Sequence, residues 1–439
     1  MRRGSPTRLC SLAALVATAS SGAAQDAAAR TGLELAVRQY LTSEGPASAQ
    51  LQAVLGLARG HDDLLAEIVR TKSYLTPVAE VALRGVIDGE HRFVEDGTAS
   101  NPAWFHGPAT GQRLFPLAVY VPDSTDTGGF GSILATDATA QGWYVFLVPD
   151  EKRDNLWKAT IHEHQRHVGP LRDLLLRYPI DPDRVFFVGS GRGGHATWDV
   201  GLMHAGRFAA LVPCNGGVIH EGGWKSTGGV FLENAKNLAV FTVYNTTFDH
   251  GIESCRYAAR RFQEWGYRFE AKEEPRMRLM GLPEAFGKVD GVVRNAHPRQ
   301  IQKRFNHVGD GGHYWLKALD RSPREWDPAA QITIRGTWPA ERNKQLELVW
   351  DQVRKECALV KGTIAGNQIE ITAHGMSRLR VYFDPEIVDL GAKVTVVVNG
   401  KARKPVTLTK QPAVMLQHVR ETGDTSRLYW AFEDCPVPK

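Results

Sequence analysis

One stretch limits what this chain can fold into more than any other. Residues 185–199 read VFFVGSGRGGHATWD. Val185, Phe186, Phe187 and Val188 form an apolar run of strand length, a glycine-rich corner follows at 189–194, and the segment beyond it has helical character as far as Trp198. A strand that turns sharply into a helix needs a sheet for the helix to lie on, and small residues at the corner let the two backbones approach. The corner has the spacing small, any, tip, any, small over Gly189, Ser190, Gly191, Arg192 and Gly193, which puts glycine at the tip. Shifting the frame so that Ser190 becomes the tip places Val188 and Arg192 at the small positions, where their bulk would hold helix and strand apart. The first frame is the better one.

The 439 residues are too many for one compact core, and a chain that is 43% hydrophobic and 23% charged has the composition of globular protein, so two or three domains are expected. The first 24 residues are set apart. Arg2, Arg3 and Arg8 precede or open an apolar stretch at 9–19 that is too short to span a bilayer, and Ala17, Ala19, Ala23 and Ala24 supply small residues for cleavage. This predicts a signal peptide over 1–24, cut after Ala19, Ala23 or Ala24, and a secreted or periplasmic protein. Removing those three arginines takes the formal net charge from +5 to +2, which suggests neither nucleic acid nor an anionic membrane as partner. No later run approaches the roughly 18 apolar residues of a membrane span. Cys214, Cys255, Cys357 and Cys435 could form two disulfides in any of three pairings, or stand as four buried thiols.

Apolar residues at three- and four-residue spacing (Leu33, Ala36, Val37; Leu51, Val54, Leu55; Leu64, Leu65, Ile68) predict two or three helices over 31–82, punctuated by Gly45, Pro46 and Gly60. Strands follow at 81–87 and 117–121, then a helix at 133–141, a strand at 143–148 and a helix at 160–177 leading into the corner. Strands at 208–213 and 238–244 and a helix at 253–265 come after it. Strands alternating with helices imply a mainly parallel sheet covered on both faces. Beyond about residue 327 the pattern becomes purely that of strands, with Ile369 and Ile371, then Leu379, Val381 and Phe383, then Val394, Val396 and Val398 alternating, and Asn399-Gly400 as a hairpin turn. The expected division is an N-terminal helical segment over 25–95, an α/β domain over 96–324 and a small β-sandwich-like domain over 325–439.

The runs LRDLLLRYPIDPDRV, IDPDRVFFVGSGRGGHATWDVGLMHAGRFAALVP and FDHGIESCRYAARRFQEWGYRFEAKEEP, with NQIEITAHGMSRLRVYFDPEIVDLGAKVTVVVNGK further on, resemble secreted bacterial esterases and prolyl-oligopeptidase-type peptidases of the α/β-hydrolase fold. The resemblance spans 117–401. It implies an α/β-hydrolase-like sheet in which the corner at 189–193 is the nucleophile elbow, a strained strand-to-helix turn that presents the catalytic side chain. Carried over position by position, it puts Gly191 at the nucleophile, Pro122-Asp123 where an oxyanion-loop His-Gly belongs, Asp249 at the acid, and Pro283, within Gly281-Leu282-Pro283-Glu284-Ala285-Phe286, at the histidine. The nearest His-Gly, His106-Gly107, precedes the strand at 117–121 and so lies at its wrong end. Only the acid is retained.

A serine hydrolase needs a hydroxyl, a base within hydrogen-bond reach and donors for the oxyanion. Loss of the nucleophile alone lowers turnover by about 10⁶. The expectation is therefore an exported hydrolase-fold protein without serine-hydrolase catalysis, binding an unknown small-molecule or polymer ligand in the old cleft. The alternative is a carboxylic-ester or peptide hydrolase with a displaced triad of Ser190, Asp249 and His313. His297 and His307 are weaker replacement bases, and His195 and Trp198 serve packing or binding equally well. His162, Glu163, His164 and His167 lack the His-Glu-x-x-His spacing of a zinc helix, since Arg166 holds the fifth position, and read as a solvated helix face. No metal and no cofactor are expected.

Overall fold

The computed structural model describes residues 10–77, 81–88, 92–95, 103–108, 113–123, 142–148, 161–218, 228–246, 252–275, 287–322 and 337–438. The chain divides into two compact units, 1–76 and 77–439.

The first unit holds three helices, α1 (Cys10–Thr42), α2 (Ser48–Leu57) and α3 (Asp62–Thr71). Leu33, Val37 and Leu41, each four residues after the last, bring one stripe of α1 into the core, where Leu51, Val54, Leu65 and Ile68 are also buried. Gly45 and Gly60 take positive φ (70° and 79°) in the turns between helices, where a side chain would be strained. The expected cleavage positions Ala19, Ala23 and Ala24 fall within the span of α1.

The second unit is built on a nine-stranded sheet. Its strands are β1 (Val81–Ile87), β2 (Phe93–Glu95), β3 (Ala103–Gly107), β4 (Phe115–Val121), β5 (Tyr144–Leu147), β6 (Ile180–Ser190), β7 (Ala210–Cys214), β8 (Ala239–Asn245) and β9 (Phe269–Glu274), in the order β2-β1-β3-β5-β4-β6-β7-β8-β9. The three strands at the β2 edge join antiparallel, and the six from β5 to β9 run parallel. Helices α4 (Ile161–Arg177), α5 (Arg192–Met203) and α6 (Ile252–Trp265) are the connections that parallel strands require. All seven residues of β4 and the last six of β6 are buried, as expected of strands covered on both faces. Phe186, Val188, Tyr120, Trp143, Val212 and Phe241 pack together in one core, while Phe187 stacks on Phe208 at 5.0 Å. The predicted helix at 133–141 lies outside the described residues. The sheet itself begins at Val81, ahead of residue 96.

Two smaller sheets follow. One joins β10 (Gln300–Phe305), β13 (Ala358–Ala365), β14 (Gln368–His374), β16 (Lys393–Val398) and β17 (Lys401–Ala402), with β18 (Val406–Thr407) beside β16. The other orders β11 (Gly312–His313), β12 (Leu316–Ala318), β15 (Arg378–Phe383) and β19 (Ala431–Pro436). The alternation read from the sequence holds, with Ile369, Ile371, Val394, Val396 and Val398 buried and their neighbours more exposed. Asn399 and Gly400 both take positive φ in the β16–β17 turn. These sheets already draw strands from residue 300 onward, and the region is not purely β. It contains α7 (Arg342–Glu356) and α8 (Pro412–Thr422), which the strand pattern did not anticipate.

Arg294 fastens the two parts of this unit together. Its buried guanidinium reaches Asp183 at the start of β6 at 2.7 Å and Asp424, just past α8, at 2.9 Å. The four cysteines, left open between bridges and thiols by the sequence, are buried thiols that form no disulfide. No helix among the described residues is long and apolar enough to cross a membrane.

Candidate functional site

The corner at the end of β6 is formed by backbones in close contact. A β-carbon on Gly193 would stand 2.6 Å from the carbonyl carbon of Val121, and one on Gly194 would stand 3.0 Å from Gly216 Cα. Only glycine allows α5 to approach β4 and the loop after β7 this closely. That loop is then fastened by α5 itself. Trp198 Nε1 donates to the Gly216 carbonyl at 2.9 Å, and His195 Nδ1 lies 2.7 Å from the Gly217 carbonyl. His195 and Trp198 therefore act in packing the corner, and Thr197 adds an internal bond to the Gly193 carbonyl at 2.8 Å.

At the tip Gly191 has φ 55° and ψ −115°, a conformation strained for any residue with a side chain. Its amide donates to Cys214 at 2.9 Å, and its carbonyl accepts from His195 at 3.2 Å. The elbow shape is present with glycine at its tip. The space where one would project is filled: a β-carbon at position 191 would stand 2.5 Å from Asp123 Cγ, 2.9 Å from its Oδ1 and closer still to Oδ2. Asp123 follows β4 in the loop that faces the tip, so a carboxylate stands where a side chain at 191 would project. Its position at the N-terminal end of α5 suits an anion, because the helix dipole is positive there. The sequence marked Pro122-Asp123 as a departure from the family pattern but gave no sign that Asp123 fills the tip. A glycine at the tip together with an acid in the facing loop was the available signal.

Of the displaced triad, Ser190 and His313 lie near opposite ends of α5. Ser190 is the last residue of β6, is 2% exposed, and stands in register with Cys214 inside the sheet. His313 lies beside Gly206, beyond the C-terminal end of α5. Helix α5 has 12 residues, about 18 Å of helix, between the tip and that end. Burial, with Lys303 and Arg427 nearby, holds the His313 imidazole well below its usual range. His297 is engaged with Asp384 at 3.1 Å, and His307 precedes the 3₁₀ turn Val308–Asp310. Asp249 and Pro283 lie outside the described residues.

The histidine cluster on α4 requires a correction. His164 is 1% and His167 5% exposed, so this face of the helix is buried rather than solvated. His167 packs edge-on against Phe187, while His164 turns toward His204 and Asp310. Among the described residues, His164, His204 and Asp310 form a group that could hold a metal, and neither His204 nor Asp310 carries a local spacing that would have revealed it.

A cavity of about 450 Å³ is lined by Arg113, Phe115, Trp143, Arg184 and Asp290. It lies at the first residues of β4 and β5, whereas ligands of open parallel sheets bind beyond the carboxyl ends of the strands, where the elbow stands.

No protein-family model and no curated protein matches the chain. Among solved structures it is similar to a protein described as a dienelactone hydrolase from Klebsiella pneumoniae subsp. pneumoniae MGH 78578, at 15% identity over 49% of this chain and 98% of the other, with a TM-score of 0.37. It is similar also to Pyrococcus horikoshii acylaminoacyl peptidase, at 13% identity over 46% of this chain and 38% of that one, with a TM-score of 0.34. For an S-formylglutathione hydrolase from Staphylococcus aureus the identity is 10%, the coverage 49% and 98%, and the TM-score 0.36. The chain's own topology, six adjacent parallel strands with helical connections and a strained strand–turn–helix corner at the end of a central strand, is that of the α/β-hydrolase fold.

Proposed function

We propose that this is an exported protein of the α/β-hydrolase fold that has lost serine-hydrolase catalysis and binds a small molecule or polymer in the cleft beyond its elbow. The observation that carries this reading is the pairing of Gly191 with Asp123. Nucleophile and oxyanion donors act as a unit, so restoring one does not restore the rate. Here the first is a hydrogen atom and the ground of the second holds a negative charge. Positioning alone leaves a rate of about 10³ to 10⁴ over water, and that figure assumes an intact oxyanion hole.

The alternative, hydrolysis by Ser190, Asp249 and His313, needs Ser190 and His313 within hydrogen-bond reach of each other. Their positions at opposite ends of α5 weigh against it. Hydrolysis of p-nitrophenyl acetate and butyrate by the purified wild type, Ser190→Ala and His313→Ala tests the reading. All three are expected at the buffer rate; a wild-type rate lost in both variants would restore the displaced triad. For export, N-terminal sequencing of secreted protein should begin after Ala19, Ala23 or Ala24, and an intact Met1 on cytoplasmic protein would remove that part of the proposal.

A further inference from the structure

His164, near the start of α4, His204, at the C-terminal cap of α5, and Asp310, in the turn after β10, converge in the interior with one candidate ligand atom each, all within 4.8 Å of one another. They come from distant parts of the sequence, and no element of the elbow chemistry uses them. Three observations set the group apart from an ordinary buried ion pair.

Asp310 is 1% exposed, and neither carboxylate oxygen has a hydrogen-bond partner. A buried carboxylate in that condition is costly unless it is paired closely or coordinates a metal. Its turn is held by Lys303, whose ammonium donates to the backbone carbonyls of Asp310 and, at 3.1 Å, Gly312 rather than to the carboxylate. His204 Nε2 stands 3.3 Å from Asp310 Oδ1, yet it too makes no hydrogen bond. That separation is about what two ligands of a tetrahedral zinc ion have when each bond is near 2.0–2.1 Å. His164 presents Nδ1 to Asp310 Oδ2 at 3.9 Å and turns Nε2 to Asp199 Oδ2 at 3.4 Å. A carboxylate receiving the far N–H of a histidine fixes its tautomer and ring orientation, the arrangement found behind metal-bound histidines.

We infer that His164 Nδ1, His204 Nε2 and the Asp310 carboxylate form a binding site for one Zn²⁺ ion, with Asp199 as the positioning residue behind His164. Two imidazoles and a carboxylate match zinc better than the all-oxygen sets of magnesium or calcium. Loading requires the three ligand atoms, now up to 4.8 Å apart, to close by up to roughly 1.5 Å. The ion would tie the start of α4, the end of α5 and the turn after β10 into one clip, closing long loops where a cross-link is most effective. The buried ligands suit a structural role.

The test uses the full chain, purified without added metal. Its zinc content is measured, the protein is stripped with a chelator, and Zn²⁺ or Mg²⁺ is titrated back with calorimetry and thermal unfolding as readouts. The site predicts one equivalent of Zn²⁺, a lower Tm after stripping that Zn²⁺ but not Mg²⁺ restores, and tetrahedral d–d absorption when Co²⁺ replaces Zn²⁺. Asp199→Asn should keep the stoichiometry and weaken affinity about 10- to 100-fold, and His204→Ala and Asp310→Ala should abolish binding. A folded wild type that carries no zinc and takes up none after stripping overturns the inference, as does one-equivalent binding unchanged in folded His204→Ala and Asp310→Ala. If those two variants fail to fold, wild-type stoichiometry and the affinity of Asp199→Asn decide the matter alone.

Discussion

Gly191 and Asp123 fit each other: the tip of the elbow carries no side chain, and the carboxylate of the facing loop stands where that side chain would project. The two positions exclude one another sterically: a side chain at 191 and the Asp123 carboxylate cannot both keep these places.

This relationship predicts the outcome of putting the nucleophile back. Gly191→Ser meets both a backbone at φ 55°, strained by about 1–3 kcal/mol for a residue with a side chain, and the Asp123 carboxylate. Urea unfolding should show a destabilised but folded protein. Asp123→Ala in the same chain should recover the steric part of the loss, because the colliding atoms belong to a side chain. Neither variant is expected to hydrolyse esters.

The neighbouring Gly193 should behave differently. A β-carbon there meets the backbone of Val121, which cannot rotate away. Gly193→Ala is therefore expected to lose about 1–3 kcal/mol or more by overpacking, with no rescue from Asp123→Ala. A loss below the error of chemical denaturation would contradict the close contact between α5 and β4.

The Arg294 network should dominate the acid side of stability. Arg294→Met takes one of two arginines from the buried Asp424, which keeps Arg427, and the ion-pair partner from the half-buried Asp183, a change expected to remove up to about 3–5 kcal/mol. Burial would raise the Asp424 carboxyl, but Arg294 and Arg427 carry it well below the usual carboxylate range. Its folded value is depressed, so its contribution is full above the unfolded value of about 3.9 and is lost as pH falls from there toward the folded value. Unfolding free energies measured from pH 6 to pH 2 should steepen below about 4 in wild type, and this step should be reduced in Arg294→Met.

His418 gives an earlier acid response. It packs against the stacked rings of Tyr382 and Tyr429 with no hydrogen bond on either ring nitrogen, and burial, assisted by Arg427, holds it down to about 3. The unfolded chain takes this proton first, near pH 6.5, so stability should fall from about 6.5 downward, by up to about 1.4 kcal/mol per pH unit. His418→Phe should flatten that slope between pH 6.5 and 4.5. An unchanged slope would mean that the ring is solvated.

The α/β half was legible in the sequence because its strands are continuous apolar runs bounded by turn residues, as in 185–188, and its corner is marked by glycines whose close contacts admit nothing larger. The helices α7 and α8 were missed for an opposite reason. The residues PAVMLQHVRET contain an apolar run too short to separate strand from helix by period, although Pro412 at the first turn and Gly423 in the left-handed cap marked its ends. His164 and His167 were read as solvated because the stretch around them is polar; their burial depends on what the fold brings against α4. The same holds for Asp123 at Gly191 and for His204 and Asp310. Such contacts join residues far apart in sequence, and spacing carries no record of them.

The most direct test of the account is labelling of the purified wild-type protein with a fluorophosphonate probe, beside Ser190→Ala and heat-denatured protein as controls. The probe reports an activated serine whatever the substrate. With glycine at the tip and a carboxylate over it, wild type should label no more than the denatured control. Stoichiometric labelling that disappears in Ser190→Ala would contradict the account.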